Sequence, residues 1–109
     1  MNPGIVTDAA ALVLALEPLP AEQVVAGTPS TGYVELTDAI GVWEHTPGTS
    51  TDVESDEVFV VLSGSGTLSF DDPALEPVEL QAGSVVRLAA GMRTLWTVRE
   101  TLRKVYIAG

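Results

Sequence analysis

The sequence predicts an all-β fold, a small sandwich or barrel. Three observations carry the prediction. Short runs rich in Val, Ile, Phe, Tyr, Trp and Thr recur from residue 33 onward. Turn signals separate most of them: PGTS, LSGSG, FDDPALEP, QAG and AAG. Helical periodicity is weak throughout that part of the chain.

The elements follow in order. Residues 9–16 suit one or two helical turns or an edge strand. Pro18, Pro20, Gly27 and Pro29 break the next stretch, so 17–30 reads as connection. Strands are expected at 33–37, 40–45, 57–62, 65–70, 84–88, 93–99 and 101–107. Gly64 and Gly66 suit a tight hairpin between the third and fourth. Alternation assigns faces. Trp43 and His45 share one. Glu57, Phe59 and Val61 share another, with Val58, Val60 and Leu62 opposite. The 57–62 strand is apolar on both sides, so one face lines an interior and the other meets a second sheet or a partner subunit. Thr94, Trp96 and Val98 share a face, as do Leu102, Lys104 and Tyr106.

The chain has 109 residues, enough for one modest core. We read 1–30 as an N-terminal extension and 31–109 as a single domain. Hydrophobic residues make up 46%, so the chain folds despite a net charge of -10. It has no cysteine, which removes disulfides and thiolate chemistry and fits a reducing compartment. The start, MNPGIVTDAAALVLALEPLP, lacks the basic leader of a secretion signal, and no run approaches a membrane span. A cytoplasmic location is expected. All five basic residues lie in the last quarter, while the first 86 residues hold fourteen acids. This acidity argues against nucleic acid and anionic membranes as partners. It also predicts that late strands pair with early acidic ones.

The stretch DVESDEVFVVLSG (52–64) poses the functional question. Asp52, Glu54 and Asp56 repel one another and read as a solvated loop. Glu57 instead begins a strand with an apolar face, so it needs a donor or a cation, or its pKa rises. It is the first candidate for acid–base work. A structural ion pair with Arg87, Arg99, Arg103 or Lys104 is the alternative. His45 has a near-neutral reference pKa and suits proton transfer, or is simply a hydrogen-bonded histidine. Trp43, Phe59 and Trp96 either pack the core or floor a pocket. Lys104 and Tyr106 bind a ligand, and Tyr106 donates a proton, only if their shared face points inward. Thr51 and Thr94 offer hydroxyls. Arg93 either clamps an anion or is solvated. No serine–histidine–acid arrangement stands out, and the LSGSG glycines do not open a helix.

The pattern as a whole resembles the cupin superfamily, small jelly-roll barrels that often hold a metal or a small ligand. In GTSTDVESDEVFVVLSG, Glu57 and Gly64 match the first motif's glutamate and glycine, and its two histidine places fall on Thr51 and Val53. In GSVVRLAAGMRT, Gly83 and Gly91 match the second motif, Ala89 replaces its proline, and Thr94 stands at its histidine. Three of the four usual ligands are therefore missing, and no resident metal is expected beyond a weakly bound divalent ion. The segments GVWEHTPG (41–48), DEVFVVLSG (56–64) and GMRTLWTVRETLRKVYI (91–107) resemble the branch related to ureidoglycine aminohydrolase and the ethanolamine-utilisation cupins. This implies a cupin-type jelly roll, a small polar ligand and a homodimer. Three functions follow: a metal-free binding or converting cupin, a non-catalytic ligand-binding or structural homodimer, and a metal-dependent aminohydrolase-like enzyme.

Overall fold

Glycine and proline place the turns, and the β-branched runs between them extend and pair. A computed structural model describes all 109 residues. The strands are β1 Glu17–Pro18, β2 Val24–Ala26, β3 Ser30–Glu35, β4 Ile40–His45, β5 Gly48–Val53, β6 Glu57–Asp72, β7 Leu75–Leu80, β8 Val85–Leu88 and β9 Arg93–Ala108. One 3₁₀ turn, Ala21–Gln23, precedes β2.

Two long strands, β6 and β9, organise the sheet. They run antiparallel from Glu57↔Ala108 to Asp72↔Arg93, with register slips between Val61 and Gly66. The C-terminal half of β9 pairs β4, then β3 and β1; its N-terminal half pairs β5, then β2. β6 pairs β8 through 57–60 and β7 through 66–70. The single nine-stranded sheet thus folds over at the middle of β6 and β9 into an antiparallel jelly roll. Phe59, Val61, Leu88 and Leu102 from one half meet Leu68, Leu80, Trp96 and Val98 from the other in one buried core.

The sequence expectation of an all-β fold holds, and several local readings need correction. Gly64 and Gly66 lie inside β6 and form no hairpin. Gly64 has φ of +90°, and a Cβ there would collide with the Thr101 carbonyl. Glycine serves the close crossing of β9, where the sheet bends. The expected pairs 57–62/65–70 and 93–99/101–107 are each one bent strand. PGTS and FDDPALEP contribute residues to β5 and β7, which the turn residues had hidden. β7 pairs only β6, and such an edge strand tolerates Pro77. Residues 9–16 form neither helix nor strand. They lie across the subunit's own sheet, where Arg103 Nη1 donates to the carbonyls of Ala9, Ala10 and Leu12.

The charge asymmetry becomes pairing. Arg99, Arg103 and Lys104 of β9 bridge Glu79 of β7, Glu44 of β4 and Glu57 of β6, respectively. No helix is long and apolar enough to cross a membrane.

Candidate functional site

Strand alternation aims one set of side chains into the jelly roll. Trp43 pairs with Lys104, and Tyr33 with Trp43, so these three residues stack across β3, β4 and β9 on the inner face. Tyr106 follows two residues after Lys104, and Phe59 of β6 lies opposite it. From the other half, Trp96 of β9 reaches the same space, with its ring centroid 5.2 Å from Trp43 and 5.6 Å from Phe59. Lys104 and Tyr106, whose direction alternation left open, point inward. With Asp52, Glu54 and Glu57, they line a pocket of about 210 Å³ together with Tyr33, Trp43 and Trp96.

Lys104 is the centre of this pocket. Its Nζ donates to Glu57 Oε2 at 2.9 Å. The same ammonium sits 4.6, 4.4 and 4.7 Å from the ring centroids of Trp43, Phe59 and Trp96. Three aromatic faces and one carboxylate hold the charge out of water. Glu57 therefore has the structural ion pair that one sequence reading offered, and the pair stands in the pocket wall. Phe59 is fully buried beneath Lys104 and packs the core.

Glu54 overturns the reading of a solvated acidic loop. Its backbone is pinned by two reciprocal bonds, Glu54 N–H to the Met92 carbonyl at 2.8 Å and Gly91 N–H to the Glu54 carbonyl at 2.9 Å. The side chain is carried inward and is only 7% exposed. Thr94 Oγ1 donates to Glu54 Oε2 at 2.7 Å, and the Trp96 indole N–H donates to the same oxygen at 3.1 Å. Oε1 has no protein partner and is free to meet a ligand. Burial pushes the Glu54 carboxyl above its ordinary range, against the pull of the Thr94 hydrogen bond. Repulsion from Asp52 acts in the same direction as burial. Asp52 is exposed at the mouth, and its pKa is also raised, chiefly by desolvation, against the pull of the Val53 N–H and the Lys104 charge. Asp56 stays exposed and accepts the Ala90 N–H at 2.8 Å. Tyr106 is raised as well, first by burial and then by Glu35, so its hydroxyl keeps a proton to donate.

The remaining sequence candidates lie elsewhere. Thr94 is buried behind Glu54 and acts on the pocket through it. Thr51 sits on β5 with its hydroxyl 3.5 Å from the Gln23 carbonyl. Arg93 is exposed and borders a surface groove with Asp71. His45 does not line the pocket. Its Nδ1 is 2.6 Å from the Thr46 carbonyl and its Nε2 is 2.8 Å from Ser50 Oγ, with both side chains buried. Desolvation lowers the His45 pKa. The structure thus brings a serine and the histidine together, a pairing that the turn residues PGTS conceal in the sequence.

The model of the EutQ-like cupin domain matches residues 34–106. The chain belongs to that family. No curated protein matches the sequence. Among solved structures, the Clostridium difficile EutQ protein is similar at 16% identity, over 84% of this chain and 78% of that one, with a TM-score of 0.63. A protein of unknown function from Acidithiobacillus ferrooxidans matches at 24% identity, over 94% and 98% of the two chains, with a TM-score of 0.62. Another of unknown function, from Pseudomonas syringae, gives a TM-score of 0.74 at 24% identity. That match covers 92% of this chain and 45% of the other, so the chain spans less than half of that relative. At these identities the structures show a shared fold.

Cupins often hold a metal, and the donors here do not fit one. Asp52, Glu54 and Glu57 share the pocket, but no three His, Cys, Asp or Glu side chains are placed to hold a metal ion. At the motif's histidine places, Val53 is 63% exposed and cannot ligate, Thr94 is spent on Glu54, and Thr51 offers only a hydroxyl. Glu57 already holds a cation, the Lys104 ammonium.

Proposed function

We propose that this cupin binds and converts a small, polar, nitrogen-bearing molecule, an amide or an amine, by metal-free acid–base chemistry. The observation that carries the reading is Glu54. Its carboxyl is held by two donors on one oxygen, its pKa is raised by burial, and its other oxygen faces a pocket walled by aromatic rings. Such a group holds its proton to higher pH than an ordinary carboxyl and can pass it to a bound ligand. Asp52 at the mouth and Tyr106 in the wall supply an acceptor and a donor. Glu57 consumes the charge of Lys104, so no free cation awaits a carboxylate ligand. The pocket's balance favours neutral or cationic ligands. At about 210 Å³ it is smaller than drug-sized sites, which suits a small metabolite.

The test is calorimetric titration of size-matched amides, amines and carboxylic acids, followed by turnover assays on the binders. Glu54→Gln should keep binding and lose turnover. Binding confined to the carboxylic acids, or turnover unaffected by Glu54→Gln, would sink the reading.

A homodimer is the second reading, and one surface favours it. Val58, Val60, Val85, Val105 and Ile107 form one outward apolar row across β8, β6 and β9, with Val85 and Ile107 exposed. Light scattering across a concentration series should show a dimer that Val85→Lys weakens. A strict monomer at every concentration contradicts it. We also read the protein as cytoplasmic, which cell fractionation tests.

A further inference from the structure

A second cavity, of about 130 Å³, lies behind Trp43 and Trp96 and holds groups that the pocket chemistry does not use. Its wall includes both Ser50 and His45. A backbone carbonyl only accepts hydrogen bonds, so the 2.6 Å contact with Thr46 puts the ring proton of His45 on Nδ1. The neutral ring then presents a lone pair at Nε2. Ser50 Oγ–H, 2.8 Å away, donates to it. A hydroxyl, a base and a group that orients the base stand in the order that activates a nucleophile. The orienting group here is a peptide carbonyl rather than a carboxylate.

A Ser–His bond that only satisfies two buried polar groups needs no space around it. This one borders a cavity close to the ~150 Å³ that admits a benzene ring. Gln23, Thr31 and Thr51 line the same cavity, and so does Asp52, which is exposed to solvent. The carboxamide and the two hydroxyls are the donors available to an oxygen that gains negative charge, and the Asp52 carboxylate works against them. The two tryptophans limit water, and the room suits a short acyl chain.

We propose that Ser50 is a nucleophile toward short-chain activated acyl esters, with His45 as its general base. Ser50 Oγ attacks the acyl carbon while its proton passes to His45 Nε2. The carbon–oxygen bond to the leaving group then breaks, and the departing alkoxide takes the proton from Nε2. The products are an acyl-serine and an alcohol. Water, deprotonated by the same nitrogen, next attacks the acyl-serine and releases the acid and the free hydroxyl. The Thr46 carbonyl orients His45 but stabilises the imidazolium less than a carboxylate would. A burst of acylation followed by slow turnover is therefore expected.

The experiment uses the full chain and p-nitrophenyl acetate. Nitrophenolate release is followed by absorbance, and the acetyl group is located by peptide mass spectrometry. The expected result is one acetyl per chain on Ser50, lost in Ser50→Ala and in protein unfolded in urea. His45→Gln should slow acetylation by roughly a hundredfold or more. If the wild-type protein carries acetyl only on Lys104 or the N-terminal amine, or none at all, the proposal is overturned. That readout comes from the natural sequence and does not depend on any variant folding.

Discussion

Replacing Lys104 by Met is predicted to be among the most damaging single changes to the fold. The two side chains of the Lys104–Glu57 pair are only 5% and 15% exposed. Methionine fills the lysine stem's volume and removes the ammonium. Glu57 then stands beside three aromatic rings with no cation. Breaking a buried pair in this way typically costs about 3–5 kcal/mol. Desolvated cation–π contacts, worth ~2 kcal/mol or more, are part of that loss rather than an addition to it. For a domain near this size, 1 kcal/mol moves Tm by roughly 4–8 °C, so a fall of at least ~12 °C is expected. The double variant Lys104→Met, Glu57→Gln removes both charges. It should recover more than half of the loss, because no uncompensated charge stays behind. Urea unfolding is the assay, monitored by fluorescence of Trp43 and Trp96, which touch the lysine. A cost below ~1 kcal/mol for Lys104→Met would show that the pair behaves like a screened surface bridge. A double variant as unstable as the single one would show that packing, not charge, is what the lysine supplies.

Other outcomes follow from the same contacts. Glu54 has a raised pKa in the folded state, so its favourable contribution is present below its unfolded value near 4.5 and is lost as pH rises through the folded value. Stability of Glu54→Gln relative to wild type should therefore increase from pH 4.5 upward, as read by urea midpoints; a pH-independent difference contradicts the assignment. Gly64→Ala should cost at least ~1–3 kcal/mol from the left-handed backbone alone, with the Thr101 clash added. An unchanged Tm would mean β6 and β9 do not cross so closely. Arg103→Lys cannot reach Glu44 and three carbonyls of residues 9–12 with one fork, so limited proteolysis should cut that segment first. Equal protection in both proteins would refute that anchoring. Added zinc, manganese or nickel should leave Tm unmoved, and a saturable rise in Tm would contradict the donor argument.

Period-two alternation made much of this legible. It put Trp43 with His45, Phe59 with Val61, and Lys104 with Tyr106 on common faces, and all three pairs turn inward. It failed where turn chemistry masked a strand. Pro47-Gly48 and a run of hydroxyl residues concealed β5, although Thr49, Thr51 and Val53 alternate with Ser50 and Asp52. Had β5 been extended by parity, Ser50, Asp52 and Glu54 would have fallen on one face, and Glu54 would have pointed inward. Like-charge repulsion was the wrong guide for Glu54, because Thr94 and Trp96 donate to its carboxyl and give it partners inside the fold. The Ser50–His45 contact spans only five residues across the Thr46-Pro47 corner, and it stayed hidden because the corner's turn residues masked the start of β5. The long bends in β6 and β9 were hidden for a related reason: glycine marks a sharp turn and a close strand crossing alike.

The most direct test of the account is an NMR titration of size-matched amides, amines and carboxylic acids, watched at the two indole N–H signals. The Trp96 indole donates to Glu54 in the pocket wall, so a ligand that meets Glu54 must disturb it. The account predicts that amides or amines shift the Trp96 signal saturably, and that Glu54→Gln changes the size of that shift. A panel that leaves Trp96 unmoved, or moves it only with carboxylic acids, would contradict the claim that this pocket is the protein's working site.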